Sequence, residues 1–339
     1  MQTSSRSSML EEVRLSAQRI FSLISSELKE VEAEFERQAR SNIQVIAYIG
    51  DYLRSSGGKR VRPALTILSN YAVGGDGGRY NSIRMATVME FLHTATLVHD
   101  DIIDEADTRR NRQTVNALYG NQTAVLMGDW LYMSAFETSL AERSLEILDI
   151  LTAVTRKMTE GELLQLTQLG KIDVTQEDYL NIVQCKTAFL FSACCEVGAI
   201  LGGATKTQQA ALRDYGMNLG MAFQLTDDLL DFTASESVIG KAAGVDLIGG
   251  KVTLPLIYLL DREGNAKQLV ETVLRNRSYD NVSRVSIVSA LEQNGCLEHA
   301  RAEADKFAEA ARATLDILPE SEHCDALREI PAYVLQRDH

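Results

Sequence analysis

The sequence is poor in several residue types, and each shortage argues against a kind of protein. Only four prolines occur in 339 residues, so long windows lack the residue that breaks helix interiors. The five cysteines include no CxxC pair, which argues against a disulfide framework or thiolate zinc site and favours free thiols in a reducing cytosol. Basic residues number 34 against 47 acidic ones, and the net charge of −13 argues against a nucleic-acid partner.

Signals for membrane insertion and export are also missing. No apolar run approaches the roughly 20 residues that span a bilayer. The first residues, MQTSSRSSMLEEV, contain no apolar core of the signal-peptide type. We therefore expect a cytoplasmic protein without a transmembrane segment. With 45% hydrophobic residues, the chain has enough apolar material for a large core.

Apolar residues recur at helical spacing, and no stretch alternates over the length of a strand. One such run consists of Val88, Phe91, Leu92, Ala95 and Val98. Glycine-rich breaks are few, and no linker or short repeat divides the chain. We predict an all-α protein with a single helical domain over residues 11–339, a disordered N-terminus over residues 1–10, and a last helix beyond Pro319.

Acidic residues are concentrated directly after one apolar run. Residues 97–110 read LVHDDIIDEADTRR, and Asp100, Asp101 and Asp104 fall within an arc of about 100° on a helix. Three carboxylates on one face repel each other unless a cation lies among them. Oxygen ligands suit a hard cation, Mg²⁺ above all. One such cluster is weak evidence, because DDxxD is common on exposed helices.

A second cluster has the same spacing inside another apolar stretch. Residues 223–232 read FQLTDDLLDF and supply Asp227, Asp228 and Asp231. Bare carboxylates are not buried without partners, so this is not an ordinary core helix. The matched clusters predict two helices that face each other across a cavity, where Mg²⁺ ions bridge the carboxylates to a shared anion. Because Mg²⁺ prefers few protein ligands together with water and phosphate oxygens, we expect a diphosphate.

Cationic side chains that could hold this anion stand beside turns or small polar residues. Residues 57–63 read GGKRVRP, which is not a Walker A loop because no Ser or Thr follows the lysine. Arg109 and Arg110 would point away from the carboxylates on a continuous helix, so we expect the chain to bend after about Glu105. The other cationic candidates are Lys59, Arg60, Arg62, Lys186, Lys241 and Lys251.

Together these segments resemble the trans-prenyltransferases of the polyprenyl diphosphate synthase family, most closely the long-chain bacterial enzymes of the octaprenyl or solanesyl type. The resemblance runs from about residue 40 to the end. It is carried by GGKRVRP, EFLHTATLVHDDIIDEADTRR, GD at 128–129, EGELLQL at 160–166, KTA at 186–188, FQLTDDLLD, GK at 240–241, GKVTLP and the terminal LQRD. One departure is RRNRQTVN, where many relatives have Gly after the arginine pair and Pro or Ala at Gln113; no charged group is lost.

The resemblance implies a single all-α bundle around a central cavity, a homodimer, and a Mg²⁺-dependent enzyme with three ions in each substrate-bound active site. Its reaction would be the head-to-tail condensation of isopentenyl diphosphate with an allylic diphosphate primer. The allylic diphosphate departs, the double bond of isopentenyl diphosphate attacks the allylic cation, and a proton is then removed. Repeated cycles would give an all-trans chain of about C40–C45, for use in quinone side chains.

The resemblance also implies roles for individual residues. Asp100, Asp104 and Asp227 would hold the metal ions, with Asp101, Asp228 and Asp231 in or near that shell. Arg109, Lys186 and Lys251 would hold the allylic diphosphate, with Lys241 as a further substrate-binding candidate. Isopentenyl diphosphate would be held by Lys59, Arg62, His93 and Arg110.

Three uncharged or weakly basic side chains complete the expected site. His93 precedes Asp100 by seven residues and so lies on nearly the same helix face, whereas His99 points off that face. Gln224 lies three residues before Asp227 and shares its inward side. With Thr187 it could offer oxygen dipoles to the allylic cation. The EGE segment at 160–162 is expected to shape the cavity without a role in the chemistry.

Product length is expected to depend on side chains below Asp100 on its helix. Short-chain relatives carry aromatic residues four and five positions before the first aspartate, where this chain has the small residues Thr96 and Ala95. An open tunnel is therefore expected. The other expected tunnel residues are Leu92, Met89 about 16 Å below Asp100 at 1.5 Å per residue, and Phe136 as the floor. Ordinary core packing is an equally good explanation of Met89 and Phe136.

Other functions are compatible with parts of the pattern. A medium-chain synthase making C15–C30 products would share every motif. A class I terpene cyclase shares the first cluster, but its second metal motif normally mixes Asn, Ser or Thr with Glu. A non-catalytic partner subunit tends to lose aspartates, and none is missing here.

Overall fold

The computed structural model describes residues 18–39, 43, 45–48, 60–109, 112–233, 244–262 and 265–336. Helices dominate these ranges, which confirms the all-α prediction. The first helices are α1 (Ser25–Gln38), α2 (Val61–Ala72), α3 (Tyr80–Ile103), α4 (Val115–Tyr119), α5 (Asn121–Ser139) and α6 (Leu145–Gln168). The later ones are α7 (Gln176–Val183), α8 (Phe189–Leu201), α9 (Lys206–Thr233), α10 (Val245–Ile248), α11 (Leu254–Leu260), α12 (Ala266–Asn276), α13 (Arg284–Gln293), α14 (Cys296–Thr314) and α15 (Glu322–Leu335).

Shorter elements connect the helices. Within the described ranges the strands are β1 (Thr108–Arg109) and β2 (Arg112–Gln113), an antiparallel pair. A π-helical segment, Gln184–Ala188, joins α7 to α8, and two 3₁₀ turns cover Leu140–Glu142 and Leu315–Ile317. Residues 1–10, for which the sequence predicts disorder, lie outside the described residues. Lys59, Arg110 and Lys241 also lie outside them.

The spacing of apolar residues explains why the helices form and which face each one buries. In α12, Val270, Val273 and Leu274 are buried at positions i, i+3 and i+4, whereas Lys267 and Glu271 are exposed. A row of small residues lies along one side of α14 and permits close helix packing. This row consists of Ala300, Ala304, Ala308 and Ala311, all buried.

The chain divides into two compact units, each built from more than one segment. The first unit contains Met1–Thr155, Leu190–Gly216 and Thr314–Ile330. The second unit contains Arg156–Phe189, Met217–Ala313 and Pro331–His339. The single-domain organisation expected from the sequence stays a prediction.

In the first unit, α3 is the central helix. It is buried on all sides over most of its length and packs against α1, α2 and α5. The crossing of α8 and α2 requires a glycine, because a Cβ added at Gly198 would overlap the backbone carbonyl oxygen of Thr66. These contacts hold rigid the helix that carries the first acidic cluster.

The second unit has its own hydrophobic core. Side chains from α7, α9 and α11 to α14 meet there. Among the largest core residues are Tyr179, Leu229, Phe232, Leu256, Leu259 and Leu291. Several of them alternate with the polar residues of the second acidic cluster on α9, so packing fixes the orientation of that helix.

One segment of the described residues is long and apolar enough to cross a membrane by length and composition. It runs from Gln176 to Leu201, and most of it is buried inside the protein. Such a segment was not expected from the sequence. Burial on this scale is typical of a core helix in a folded protein.

Candidate active site

The first acidic cluster lies where α3 ends. The helix stops at Ile103, and Glu105 adopts a left-handed conformation with φ of 50°. Few non-glycine residues adopt this conformation, and here it turns the chain out of the helix. The bend that the sequence predicted after about Glu105 is therefore confirmed. Asp100 is half-buried and Asp104 is exposed, so both carboxylates are accessible at the helix end.

Asp101 is the buried member of this cluster. The Nε of Arg109 donates a hydrogen bond of 2.7 Å to Asp101 Oδ1, and the side chains are only 20% and 5% exposed. The bend brings Arg109 back toward the helix, as expected. The sequence placed Asp101 in or near the metal shell, whereas the structure commits it to an ion pair that fixes the arginine.

The side chain of His99 packs over α5. Its Nε2 lies 3.2 Å from the carbonyl oxygen of Val125 and 3.6 Å from Asp129 Oδ1. A Cβ added at Gly128 would overlap the imidazole, which explains the glycine of the GD motif. His99 thus contacts α5, consistent with its predicted orientation away from the acidic face.

The second acidic cluster lies on α9, and its aspartates have different surroundings. Asp227 is exposed, whereas Asp228 is buried. Asp228 Oδ2 accepts a hydrogen bond of 2.6 Å from the hydroxyl of Tyr179, and Oδ1 accepts one of 2.8 Å from the Nε2 of Gln224. Burial and the neighbouring Asp246 carboxylate raise the pKa of Asp228 to about 8. Burial and Asp228 together raise the pKa of Tyr179 well above the usual range of a phenol.

Asp231 binds backbone rather than pointing into open space. Its carboxylate accepts hydrogen bonds from the N–H groups of Gly244, Val245 and Asp246, at 3.1, 3.2 and 3.2 Å. Burial raises the pKa of Asp231, although these three bonds act in the opposite direction. Asp231 therefore anchors the start of α10. The sequence had placed it, like Asp228, in or near the metal shell.

Lys251 is held by the same segment. The backbone N–H of Lys251 donates a hydrogen bond of 2.8 Å to the carbonyl oxygen of Asp246. The preceding Gly250 has φ of 91°, a left-handed conformation that favours glycine. A series of short contacts thus connects Asp231, through α10, to the lysine that the sequence assigned to the allylic diphosphate.

Lys186 and Thr187 lie in the π-helical segment between α7 and α8. Such segments are rare and often occur at functional sites. The Nζ of Lys186 forms an ion pair with Glu162 on α6, and the Oγ1 of Thr187 donates a hydrogen bond of 2.8 Å to Gln224 Oε1. A Cβ added at Gly161 would overlap the side chain of Cys185, so this glycine allows α6 to approach.

The residues expected at the isopentenyl diphosphate site lie at the start of α2 and on α3. Arg62 places its guanidinium 4.9 Å from the centre of the Phe191 ring, a cation–π contact. Arg60, just before α2, has φ of 47° and donates a 2.8 Å hydrogen bond to the buried Glu90 of α3. His93 is half-buried one turn further along α3.

The residues predicted to control product length lie in the first unit, where α3 packs along α5. Ala95, Leu92 and Met89 are fully buried on α3, whereas Thr96 is half-buried. Phe136 is half-buried on α5. The Thr96 hydroxyl donates a hydrogen bond of 2.7 Å to the carbonyl oxygen of His93. Their role in product length stays a prediction.

The donor set suits magnesium. Among the described residues, no three His, Cys, Asp or Glu side chains form a metal-binding group by themselves. Mg²⁺ is commonly held by one or two carboxylates together with water and substrate phosphates. Asp100 and Asp104 of the first cluster and Asp227 of the second are partly or fully exposed. Asp231 is also partly exposed, but its carboxylate binds three backbone N–H groups. Carboxylate oxygen is the ligand that Mg²⁺ prefers.

Two residues that contact Lys186 and Asp228 were not expected from the sequence. Glu162 belongs to the EGE segment, which was assigned no part in the chemistry, yet it neutralises Lys186. Glu162 follows Gly161, a glycine that allows α6 to approach its neighbour closely, and this position was an available signal. Tyr179 was not singled out, because a tyrosine in an apolar helix looks like ordinary core.

Comparisons with known proteins identify the family of the chain. The model of the family named polyprenyl synthetase matches residues 43–291. Octaprenyl diphosphate synthase from Escherichia coli (strain K12) is 37% identical over 325 residues, covering 96% of this chain and all of that protein. The short chain isoprenyl diphosphate synthase of Methanothermobacter thermautotrophicus is 35% identical over 311 residues, or 89% of this chain and 94% of that protein.

A solved structure of a polyprenyl synthase also matches the chain. Polyprenyl synthase from Caulobacter crescentus CB15, crystallised with calcium and isoprenyl diphosphate, matches with a TM-score of 0.90 at 33% identity. The match covers 95% of this chain and 98% of that chain. An all-helical fold with two acidic clusters therefore corresponds to a prenyltransferase. The chain belongs to the polyprenyl synthetase family, which confirms the resemblance inferred from its motifs.

Proposed function

We propose that this protein catalyses the Mg²⁺-dependent, head-to-tail condensation of isopentenyl diphosphate with an allylic diphosphate and makes a long all-trans polyprenyl diphosphate. The observation that carries the proposal is the full-length match to an octaprenyl diphosphate synthase, together with the accessible carboxylates of Asp100, Asp104 and Asp227. Product lengths of C40–C45 and a use in quinone side chains are the most specific parts of the proposal.

The accessible carboxylates would hold the metal ions, three of them in the substrate-bound enzyme. Bound Mg²⁺ supplies the positive charge that stabilises the departing diphosphate. The calcium and isoprenyl diphosphate in the Caulobacter structure support a divalent cation and a diphosphate here. Asp101 and Asp228 are buried, and Asp231 binds backbone N–H groups, so these three would act indirectly.

The cationic side chains would hold the two substrates. Arg62 and His93, with Lys59 and Arg110, would bind isopentenyl diphosphate. Arg109 would bind the allylic diphosphate, and Lys186, Lys241 and Lys251 would complete its site. Charge-assisted hydrogen bonds of this kind are short and strong, so they orient a diphosphate as well as bind it. Lys186 would have to exchange part of its pairing with Glu162 for the substrate.

The small side chains below Asp100 support a long product. Thr96 and Ala95 leave no aromatic ring one turn below the first aspartate, so a growing chain could descend along α3. The Methanothermobacter relative makes a short chain according to its name, so identity alone does not determine product length. A medium-chain product is therefore the alternative outcome.

A homodimer in the cytoplasm is the proposed assembly and location. On α5 of the first unit, Leu126 is 69% exposed, Met133 is 62% exposed and Val125 is 43% exposed. Apolar side chains this exposed on one helix mark an interaction surface. A second copy of the chain is the partner that the family resemblance implies.

The proposal is tested by incubating the protein with isopentenyl diphosphate, farnesyl diphosphate and Mg²⁺, followed by analysis of product chain length. We expect C40–C45 diphosphates and no product when EDTA removes the metal. Products that stop at C15–C20 with geranyl or farnesyl primers would contradict the long-chain assignment. Absence of any condensation by folded, metal-supplied protein would contradict the function itself.

A further inference from the structure

Four side chains of the second unit form one continuous hydrogen-bonded row. The Thr187 hydroxyl donates to Gln224 Oε1 at 2.8 Å, and Gln224 Nε2 donates to Asp228 Oδ1 at 2.8 Å. At the other end, the Tyr179 hydroxyl donates to Asp228 Oδ2 at 2.6 Å. Tyr179 lies outside the sequence motifs, and both oxygens of Asp228 already bind protein groups.

The row has a fixed polarity. The Asp228 carboxylate has only acceptor oxygens, so the N–H side of the Gln224 amide faces it. Rotation of the amide by 180° would place two acceptor oxygens against each other. The amide oxygen must therefore face Thr187, whose single hydroxyl proton is used in that bond. The lone pairs of Thr187 Oγ1 are what remains for a third partner.

The surroundings preserve this polarity. Tyr179, Thr187 and Asp228 are 5%, 8% and 7% exposed, so water does not readily replace a member of the row. The start of α7 is fixed by a capping box in which Thr175 and Asp178 bind each other's N–H groups. Tyr179 follows directly, and Thr187 lies in the π-helical segment. Each member is therefore held by its own backbone element.

We propose that Tyr179 and Asp228 are positioning residues, which fix the Gln224 amide so that Thr187 presents oxygen lone pairs, rather than a hydroxyl proton, to the allylic cation. The inference rests on the proposed function, since it needs a reaction that develops positive charge. A lone pair directed at a developing cation stabilises it, whereas an O–H dipole of opposite direction destabilises it. Asp228 thus acts on the reaction through Gln224 and Thr187.

A double-mutant cycle tests this coupling. Tyr179→Phe removes only the hydroxyl that orients Asp228, and Thr187→Val removes only the hydroxyl that would face the cation. Turnover of isopentenyl diphosphate and farnesyl diphosphate is measured for both single variants and the double variant. We expect kcat to fall by about a hundredfold in Thr187→Val, the lower end for loss of one oriented dipole. Tyr179→Phe should lower kcat by about tenfold, with both KM values within about threefold.

The decisive result is the effect of Tyr179→Phe in the Thr187→Val background. If Tyr179 acts through Thr187, the second substitution should lower kcat by less than about twofold, because coupled residues are not additive. The same tenfold fall in both backgrounds, or no fall in the wild-type background, would overturn the proposal. Asp228→Asn, measured in place of Tyr179→Phe in the same cycle, tests the coupling a second time. The asparagine side chain cannot accept hydrogen bonds from both Tyr179 and Gln224.

A matched control separates positioning from loss of stability. Tyr215 is also fully buried, and its hydroxyl donates a hydrogen bond of 2.7 Å to the carbonyl oxygen of Leu327 in the first unit. Tyr215→Phe should lower the melting temperature as much as Tyr179→Phe and leave kcat within about twofold. A similar fall in kcat for both variants would refute the positioning role. If the wild type forms product but the cycle is additive, only this inference fails; if the wild type forms none, the proposed function fails.

Discussion

The two acidic clusters have the same spacing in the sequence and different surroundings in the structure. At the end of α3, Asp101 is buried against Arg109, whereas Asp104 follows the helix and is exposed. On α9, which continues to Thr233, the third aspartate remains on the helix and binds the backbone of Gly244–Asp246. The position at which each helix ends therefore decides whether the third aspartate is exposed or binds backbone.

The comparison shows what a DDxxD motif specifies. The spacing places three carboxylates on one helix face, and the middle one is buried in both clusters. A buried carboxylate needs partners, which are an arginine in one case and a tyrosine and an amide in the other. We infer that only Asp100, Asp104 and Asp227 contact metal.

The largest effect is expected for the accessible aspartates. Asp100→Ala or Asp227→Ala should each lower the condensation rate roughly a thousandfold, since several kcal/mol of leaving-group stabilisation are lost. The fold should be retained, as measured by circular dichroism, because removing a carboxylate relieves repulsion within its cluster. Asp305→Ala, at an exposed position on α14, is the control and should keep full activity. Retention of most of the rate by either cluster variant at saturating Mg²⁺ would refute the metal assignment.

The basic residues provide the next largest effect. Arg62→Ala should raise the KM for isopentenyl diphosphate about ten- to a hundredfold, the value of one charge-assisted contact. The KM for the allylic substrate should change little. Steady-state kinetics with each substrate varied in turn will distinguish them, with the exposed Arg79→Ala as control. An equal rise in both KM values would mean that Arg62 serves the other site or both.

Several features of this site could be predicted from the sequence because they depend on local geometry. The helical spacing of the aspartates predicted the acidic faces. The bend near Glu105 was predicted because Arg109 would point away from the carboxylates on a continuous helix. Both are properties of a few consecutive residues. The all-α fold follows in the same way from apolar periodicity and scarce proline.

The partners of the buried aspartates could not be predicted in this way. Tyr179 lies 49 positions before Asp228, and the groups that bind Asp231 are backbone N–H groups, which leave no mark in the sequence. The ion pair of Lys186 with Glu162 also joins separate helices. Long-range contacts of this kind depend on tertiary packing, which a single sequence does not reveal.

Product length tests the region below the first cluster. Thr96→Phe should shorten the main product toward C15–C20, because a ring at this half-buried position would block the chain one turn below Asp100. Ala95→Phe should act similarly but lose stability by about 1–3 kcal/mol, since Ala95 is fully buried. Chromatography of the dephosphorylated products provides the measurement. An unchanged product from a folded Thr96→Phe variant would contradict the tunnel assignment.

The floor of the tunnel is a separate prediction with a smaller effect. Phe136→Ala should lengthen the product by one or a few isoprene units. Because Phe136 is only half-buried, the loss of stability should be below the roughly 3–5 kcal/mol of a fully buried phenylalanine. Product analysis and thermal unfolding check both parts. An unchanged product length would exclude Phe136 as the floor and leave the open upper tunnel intact.

The division of the two clusters is tested most directly by comparing their third aspartates. The measurement is the Mg²⁺ concentration that gives half-maximal condensation rate in Asp104→Asn and in Asp231→Asn. We expect Asp104→Asn to raise this concentration at least about tenfold, because the site loses one charged oxygen ligand. Asp231→Asn should lower kcat through the displaced Gly244–Asp246 backbone and leave the Mg²⁺ requirement within about twofold of the wild type. An equal rise in the Mg²⁺ requirement for both variants would show that the two clusters bind metal alike and would contradict the division.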